Sequence, residues 1–120
     1  MAKIPTEYEE VSSDSYPINA TYAVSTGQTL TVYKKDNICQ IPLKALKNLP
    51  YHQDVTILSA MADKYKPLEN VSFQIYDGNN FDHVTMSIGV DGSLHAYSNI
   101  QNPTSLHNLG VSSIMYIAKN

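Results

Sequence analysis

The chain has 120 residues, the size of a single domain. Hydrophobic residues make up 42% and charged residues only 16%, against about 25% charged in ordinary soluble proteins; this balance excludes a disordered polyelectrolyte and a Glu/Lys-rich coiled coil. The net charge is −3 and all 8 basic residues are Lys, so the basic stripe and the Arg forks of a nucleic-acid binder are missing.

No run approaches the ~18 apolar residues of a membrane-spanning helix, so no membrane insertion is expected. The opening Met1-Ala2-Lys3-Ile4-Pro5-Thr6-Glu7 lacks a signal-peptide core, which points away from secretion by that route. Cys39 stands alone, so neither a disulfide framework nor a thiolate metal cluster is expected, and a reducing cytoplasm suits it.

Residues 1–19 carry Glu7, Glu9, Glu10 and Asp14 among serines, punctuated by Pro5 and Pro17. They read as an N-terminal arm or linker, with residues 20–120 as the folded head. From Thr29 to Lys34 the sequence alternates, with Leu30 and Val32 on one face, and Lys35-Asp36-Asn37 signals a turn. Ile38 to Leu43 follows, with Cys39, Ile41 and Leu43 sharing a face; Pro42 predicts an edge strand or a bulge there. Asn48-Leu49-Pro50 marks a loop. Residues 51–66 fit either a helix face or a strand followed by a loop, and the Val55-Thr56-Ile57 cluster favours the strand. Val71, Phe73 and Ile75 alternate with Ser72, Gln74 and Tyr76 before the turn at Asp77-Gly78-Asn79-Asn80. Val84, Met86, Ile88 and Val90 alternate again, and a last strand covers about Val111 to Ala118.

One hairpin is specified to the residue. A three-residue loop Val90-Asp91-Gly92 sets Gly89 against Ser93, Ile88 against Leu94 and Met86 against Ala96, with Gly92 left-handed. A slip of one residue would expose the whole apolar set, so burial fixes this register. It turns Thr85, Ser87, His95 and Tyr97 outward together. Seven or eight short strands with Gly/Pro/Asn/Asp turns predict an all-β protein, an antiparallel β-sandwich or barrel.

The chemistry-bearing residues form no nucleophile elbow, phosphate loop or dinucleotide fingerprint. His52, His83, His95 and His107 show no metal-ligand spacing within one subunit, so no metal and no cofactor are expected. Asp77 and Asp82 flank a polar tip, where paired carboxylates would serve glycoside hydrolysis or calcium binding; a solvated tip is the simpler reading. Tyr76 and Tyr97 lie on outward faces. An exposed ring beside amides, carboxylates and imidazoles is the chemistry that receives a sugar, and it is also the chemistry of a subunit interface. The candidate saccharide contacts are therefore Tyr76, Asp77, Asn79, Asn80, Asp82 and His83 at the tip, with His95 and Tyr97 on the neighbouring face.

The order of segments resembles the C-terminal receptor-binding domains of bacteriophage tail-fibre and baseplate proteins. Val32-Tyr33-Lys34-Lys35-Asp36-Asn37-Ile38-Cys39 is similar to their Tyr-Arg-Lys, turn, apolar-strand element. Ala62-Asp63-Lys64-Tyr65-Lys66-Pro67 resembles their Gly-Tyr-Arg-Pro loop, with Lys34 and Lys66 where Arg is usual. Val84 to Ala96, with Ile88, Asp91-Gly92 and Leu94, resembles their Ile, Asp-Gly turn, Leu hairpin, and Tyr116-Ile117-Ala118 fits the closing strand. The resemblance implies a jelly-roll-like sandwich assembled as a homotrimer in a virion tail or baseplate, after synthesis in the host cytoplasm. It also implies a non-enzymatic role, either binding a host cell-surface glycan or acting as a structural trimerisation or docking domain among other virion proteins. A depolymerase built on Asp77 and Asp82 is the remaining alternative.

Overall fold

The computed structural model describes residues 11–77, 82–101, 106–107, 109 and 112–119. Among these the chain is all-β. The strands are β1 (Ser12–Pro17), β2 (Thr29–Lys35), β3 (Ile38–Pro42), β4 (Leu46–Lys47), β5 (Asp54–Leu58), β6 (Val71–Tyr76), β7 (His83–Ile88), β8 (Leu94–Ser98), β9 (Leu106–His107) and β10 (Ser113–Ile117). A single 3-10 turn, Asp63–Tyr65, follows β5, so the 51–66 segment is a strand and then a loop. Expectation fell short of the strand number because β4 and β9 are two residues each and β1 lies inside the expected arm.

Two four-stranded antiparallel sheets carry the fold, ordered β1-β2-β3-β10 and β5-β8-β7-β6, with β4-β9 as a small third sheet. Apolar side chains from both large sheets meet in one core. Leu30, Val32, Cys39, Ile41, Ile114 and Tyr116 come from the first, and Ile57, Leu58, Val84, Met86, Ile88, Leu94 and Ala96 from the second. This is a sandwich-like arrangement, and the period-2 alternation is its cause. A jelly-roll sends consecutive strands to opposite sheets. Here β1, β2 and β3 are neighbours in one sheet and β6, β7 and β8 in the other, so each sheet is a meander with one further strand added.

Three local corrections have physical reasons. Ser12–Pro17, expected in an arm or linker, pairs along β2 from Ser12↔Lys34 to Pro17↔Thr29. Its polar sequence suits an edge strand, held by the ladder and by a 2.7 Å hydrogen bond between the Ser15 and Thr31 hydroxyls. β3 is interior rather than an edge. Its pairing with β2 ends at Gln40, and the Leu43 amide donates to the Ser112 carbonyl (2.9 Å). Alternation then aims the position-42 nitrogen away from β10, to the side with no strand partner, so Pro42 removes no ladder bond. Asp77, expected at a solvated tip, is only 2% exposed.

The β7–β8 hairpin has the register read from the sequence: Met86↔Ala96, Ile88↔Leu94, and a Gly89 amide donating to the Ser93 carbonyl. Gly92 has φ +87°, and a Cβ there would lie 2.9 Å from the Met61 nitrogen. That closeness has a purpose: the Met61 amide donates to the Gly92 carbonyl (3.0 Å) and joins the hairpin to the segment that leaves β5, crosses over to the first sheet and returns to β6.

The crossing segment, residues 61–68, is tied mostly to the first sheet. The Ala62 amide donates to the Tyr16 hydroxyl (3.0 Å), and Lys34 Nζ to the Lys64 carbonyl (2.8 Å). Tyr65 is fully buried, its hydroxyl donating to Asp14 Oδ2 (2.7 Å) while its carbonyl accepts from the Tyr116 hydroxyl (2.6 Å). Beyond it the Leu68 amide donates to the Ile117 carbonyl, and the Lys119 amide to the Lys66 carbonyl.

Two outcomes follow. Gly92→Ala is expected to destabilise the chain by about 1–3 kcal/mol, seen as a lower denaturant midpoint with unchanged slope, because it combines left-handed strain with a backbone clash. Cys39 is fully buried, and burial pushes its thiol above the ordinary range. A thiol reagent is therefore expected to label the native protein only at the rate of unfolding, and denaturant is expected to make labelling immediate.

Candidate functional site

The inward face of β5-β8-β7-β6 is spent on the core, so its outward residues are those left to act. Their register forms two continuous rows across the sheet. One is Asp54–Tyr97–Thr85–Gln74 and the other Thr56–His95–Ser87–Ser72. Both rows are polar, and Tyr97 contributes a half-exposed ring to them.

His95 organises one end of this face. Its Nδ1 lies 3.0 Å from Asp54 Oδ2, although the residue opposite Asp54 in the ladder is Tyr97. Asp54 therefore reaches diagonally across the pair, which cross-strand geometry allows for side chains of this length. His95 Nε2 lies 2.9 Å from Ser93 Oγ, whose own proton goes to Asp91 Oδ1 (2.7 Å). Asp91 also accepts the Ser93 amide (3.0 Å). These two bonds from Ser93 hold the Asp91 carboxyl below the usual carboxylate range, with a smaller contribution from His95. The whole of the loop between β7 and β8 is thus built on one carboxylate, one hydroxyl and one imidazole. Asn70, just before β6, steadies it, its Oδ1 accepting the Val90 amide (2.8 Å).

Beside His95 the surface dips into a cleft of about 290 Å³, open to solvent and lined by Asp54, Asn70, Ser72, Ser87, Gly89 and His95 among others. The order Ser93, His95, Asp54 has the look of a nucleophilic relay. Its proton inventory differs, because Ser93 gives its hydroxyl proton to Asp91 instead of to the imidazole. Ser93 is also only 8% exposed. The arrangement is built to hold a loop and a cleft wall.

The eight residues singled out from the sequence divide between two places. His95 and Tyr97 belong to the rows described above. Tyr76, Asp82 and His83 lie near the opposite end of the sheet. There Tyr76 is 61% exposed and meets the His83 ring edge-on (5.9 Å), and Asn99 Nδ2 donates to His83 Nε2 (2.9 Å). Asp82 is turned back on its neighbour, its Oδ1 accepting the His83 amide (3.1 Å). Asp77 is buried and so is withdrawn from ligand contact. Asn79 and Asn80 lie outside the described residues. Among the described residues no three His, Cys, Asp or Glu side chains converge as a metal site.

Asp54, Asn70, Ser72 and the Ser93–Asp91 pair escaped the sequence reading. Asp54 becomes visible only once β5 is known to pair with β8. A second omission is a ring stack at the sheet margin. Tyr51 lies on His52 (3.7 Å) and His52 beside Tyr97 (5.6 Å), all nearly parallel. His52 has φ +55°, an uncommon value for a residue with a side chain, and its amide donates to the Ser98 carbonyl (2.9 Å). Tyr51-His52 following Pro50 was the only local signal, and it does not name Tyr97 as the third ring.

Set against protein-family models and curated proteins, the chain matches none.

The Asp91 anchor has a pH signature. Its native carboxyl is depressed, so its contribution is present above the unfolded value near 3.8 and is lost as pH falls through the lower native value. The stability advantage of the wild type over Asp91→Asn is therefore expected to be constant from neutral pH to about pH 5 and to shrink progressively as pH falls below the ordinary carboxylate range, measured by thermal or urea unfolding.

Proposed function

We propose that this chain is a non-catalytic adhesion module of a bacteriophage tail fibre or baseplate that binds a host cell-surface saccharide on the outer face of β5-β8-β7-β6. The observation that carries the reading is the composition of that face. Ser72, Ser87, Thr85 and Gln74 make no side-chain hydrogen bond to the described chain, and they stand in register beside the exposed ring of Tyr97. Unengaged hydroxyls and amides next to a ring match a ligand that offers hydroxyls at its edge and C–H groups on its face. The ordered motif resemblance supplies the phage context. The same resemblance supports a homotrimer, in which a shallow site of about millimolar strength gains by multivalency.

A second reading, docking to another virion protein, is favoured by a different surface. The outer face of β1-β2-β3-β10 exposes Tyr33 (42%), Ile38 (42%), Met115 (55%) and Ile117 (56%) side by side. A contiguous apolar group of this kind marks a contact surface between macromolecules. It serves subunit association under the first reading and attachment to a different virion protein under the second.

Titrating isotope-labelled protein with polysaccharide from the host wall is expected to shift the amides of Ser72, Ser87, His95 and Tyr97, and Tyr97→Ala is expected to weaken that binding at least tenfold without unfolding the chain. Loss of assembly into particles on Met115→Asp, with Tyr97→Ala leaving adsorption of assembled particles unchanged, would favour the docking reading. Sedimentation of the purified chain at the mass of one subunit would remove the trimer.

A further inference from the structure

The charges around the cleft restrict what it accepts. We infer that the cleft beside His95 selects a neutral, hydroxyl-rich sugar and rejects acidic sugars and polyol phosphates. This rests on the saccharide reading above and adds the class of ligand. Asp54 stands on the cleft wall with its side chain 62% exposed. Its Oδ2 is taken by His95, and its Oδ1 has no partner in the described chain, so it offers an acceptor to a sugar hydroxyl and a repulsive charge to an anion.

The imidazole that could receive an anion has no free nitrogen. Both ring nitrogens of His95 are occupied, one by Asp54 and the other by Ser93. An incoming carboxylate or phosphate therefore finds no free N–H there. No lysine stands in the two rows of the face. Near the β7–β8 hairpin, Lys66 and Lys119 line a different cleft with Asp63 and Val90, and Lys66 is paired to Asp63 at 2.7 Å. Arg is absent from the chain, so the bidentate fork on which phosphate and carboxylate recognition depends is not available at all.

What remains suits neutral hydroxyls. Ser72 and Ser87 each present a hydroxyl that can donate and accept, and Asn70 has its Oδ1 engaged by Val90, leaving its amide protons to donate. The cleft thus offers hydroxyls and an amide, beside an imidazole already engaged on both sides and one carboxylate at the rim.

The test uses the full chain, isotope-labelled, titrated with neutral hexose and N-acetylhexosamine oligosaccharides, with an oligogalacturonate and with poly(glycerol phosphate), at low and high salt. Neutral oligosaccharides are expected to shift Ser72, Ser87 and His95. The two anionic probes are expected to bind at least about tenfold more weakly at low salt, with the gap narrowing as salt screens Asp54. Asp54→Asn is expected to improve the anionic probes relative to the neutral ones. Because that change also touches the His95 network, Ser72→Ala serves beside it, and is expected to weaken neutral binding several-fold without changing the anionic-to-neutral ratio. Anionic probes binding at these residues as tightly as neutral ones would overturn the inference while leaving the saccharide reading intact. Shifts confined to Tyr76, Asp82 and His83 would overturn the cleft as the site. Silence from every probe, with host wall polysaccharide equally silent, would overturn the saccharide reading itself.

Discussion

Tyr65 has no contact with solvent, and both of its polar ends are satisfied inside the fold. The hydroxyl is bound by Asp14 on β1, and the carbonyl is bound by the Tyr116 hydroxyl on β10. One residue of a connecting segment thus reaches both edge strands of the first sheet. Leaving either group unpaired at that depth would cost roughly 1–3 kcal/mol, a sizeable part of the stability of a domain this size. Burial drives the Tyr116 hydroxyl far above the ordinary phenol range, so it remains a proton donor throughout the pH range in which proteins fold. The Met61 amide, four residues upstream, fastens the same segment to the β7–β8 hairpin of the second sheet. The relative placement of the two sheets, and so of the outward rows on the second, depends on this crossing.

The residues that carry the resemblance to phage domains meet at this joint. Lys34 binds the Lys64 carbonyl, Tyr65 and Lys66 belong to the crossing, Gly92 receives Met61, and Ala118 bridges to Pro67. Their order in the chain is therefore a record of how the sheets are locked together. The cleft draws on a different set, Asp54, Asn70, Ser72, Ser87 and His95, of which only Ser87 and His95 fall within a motif segment and neither is one of its defining residues. At position 34 a lysine ammonium donates to the Lys64 carbonyl. A single carbonyl acceptor needs one donor, and a point charge with a flexible stem provides it.

How much was legible in the sequence follows from where the apolar residues stand. β6, β7 and β8 alternate cleanly, and their hairpin register was fixed by burial alone, down to the left-handed Gly92. β1 was not legible. Ser-Ser-Asp-Ser-Tyr-Pro contains one side chain that reaches the core, Tyr16, and is held by ladder bonds and hydroxyl contacts that any polar loop sequence could supply. At the site, the outward pair His95 and Tyr97 was readable from parity. The diagonal partner Asp54 was not, because it depends on pairing between strands far apart in sequence. Asp77 failed for the opposite reason: its composition and its turn context belong to a solvated tip, and only the tertiary fold encloses it.

The joint between the two sheets is unevenly bonded. β8 is bonded along its length to β5 and β7, and the hairpin it forms with β7 meets the crossing segment where the Met61 amide donates to the Gly92 carbonyl. The backbone bonds of the ladders are spread over several residues, whereas the Met61–Gly92 link is a single bond. Opening the hairpin tip away from the crossing segment therefore breaks fewer backbone bonds than parting any ladder of the sheet.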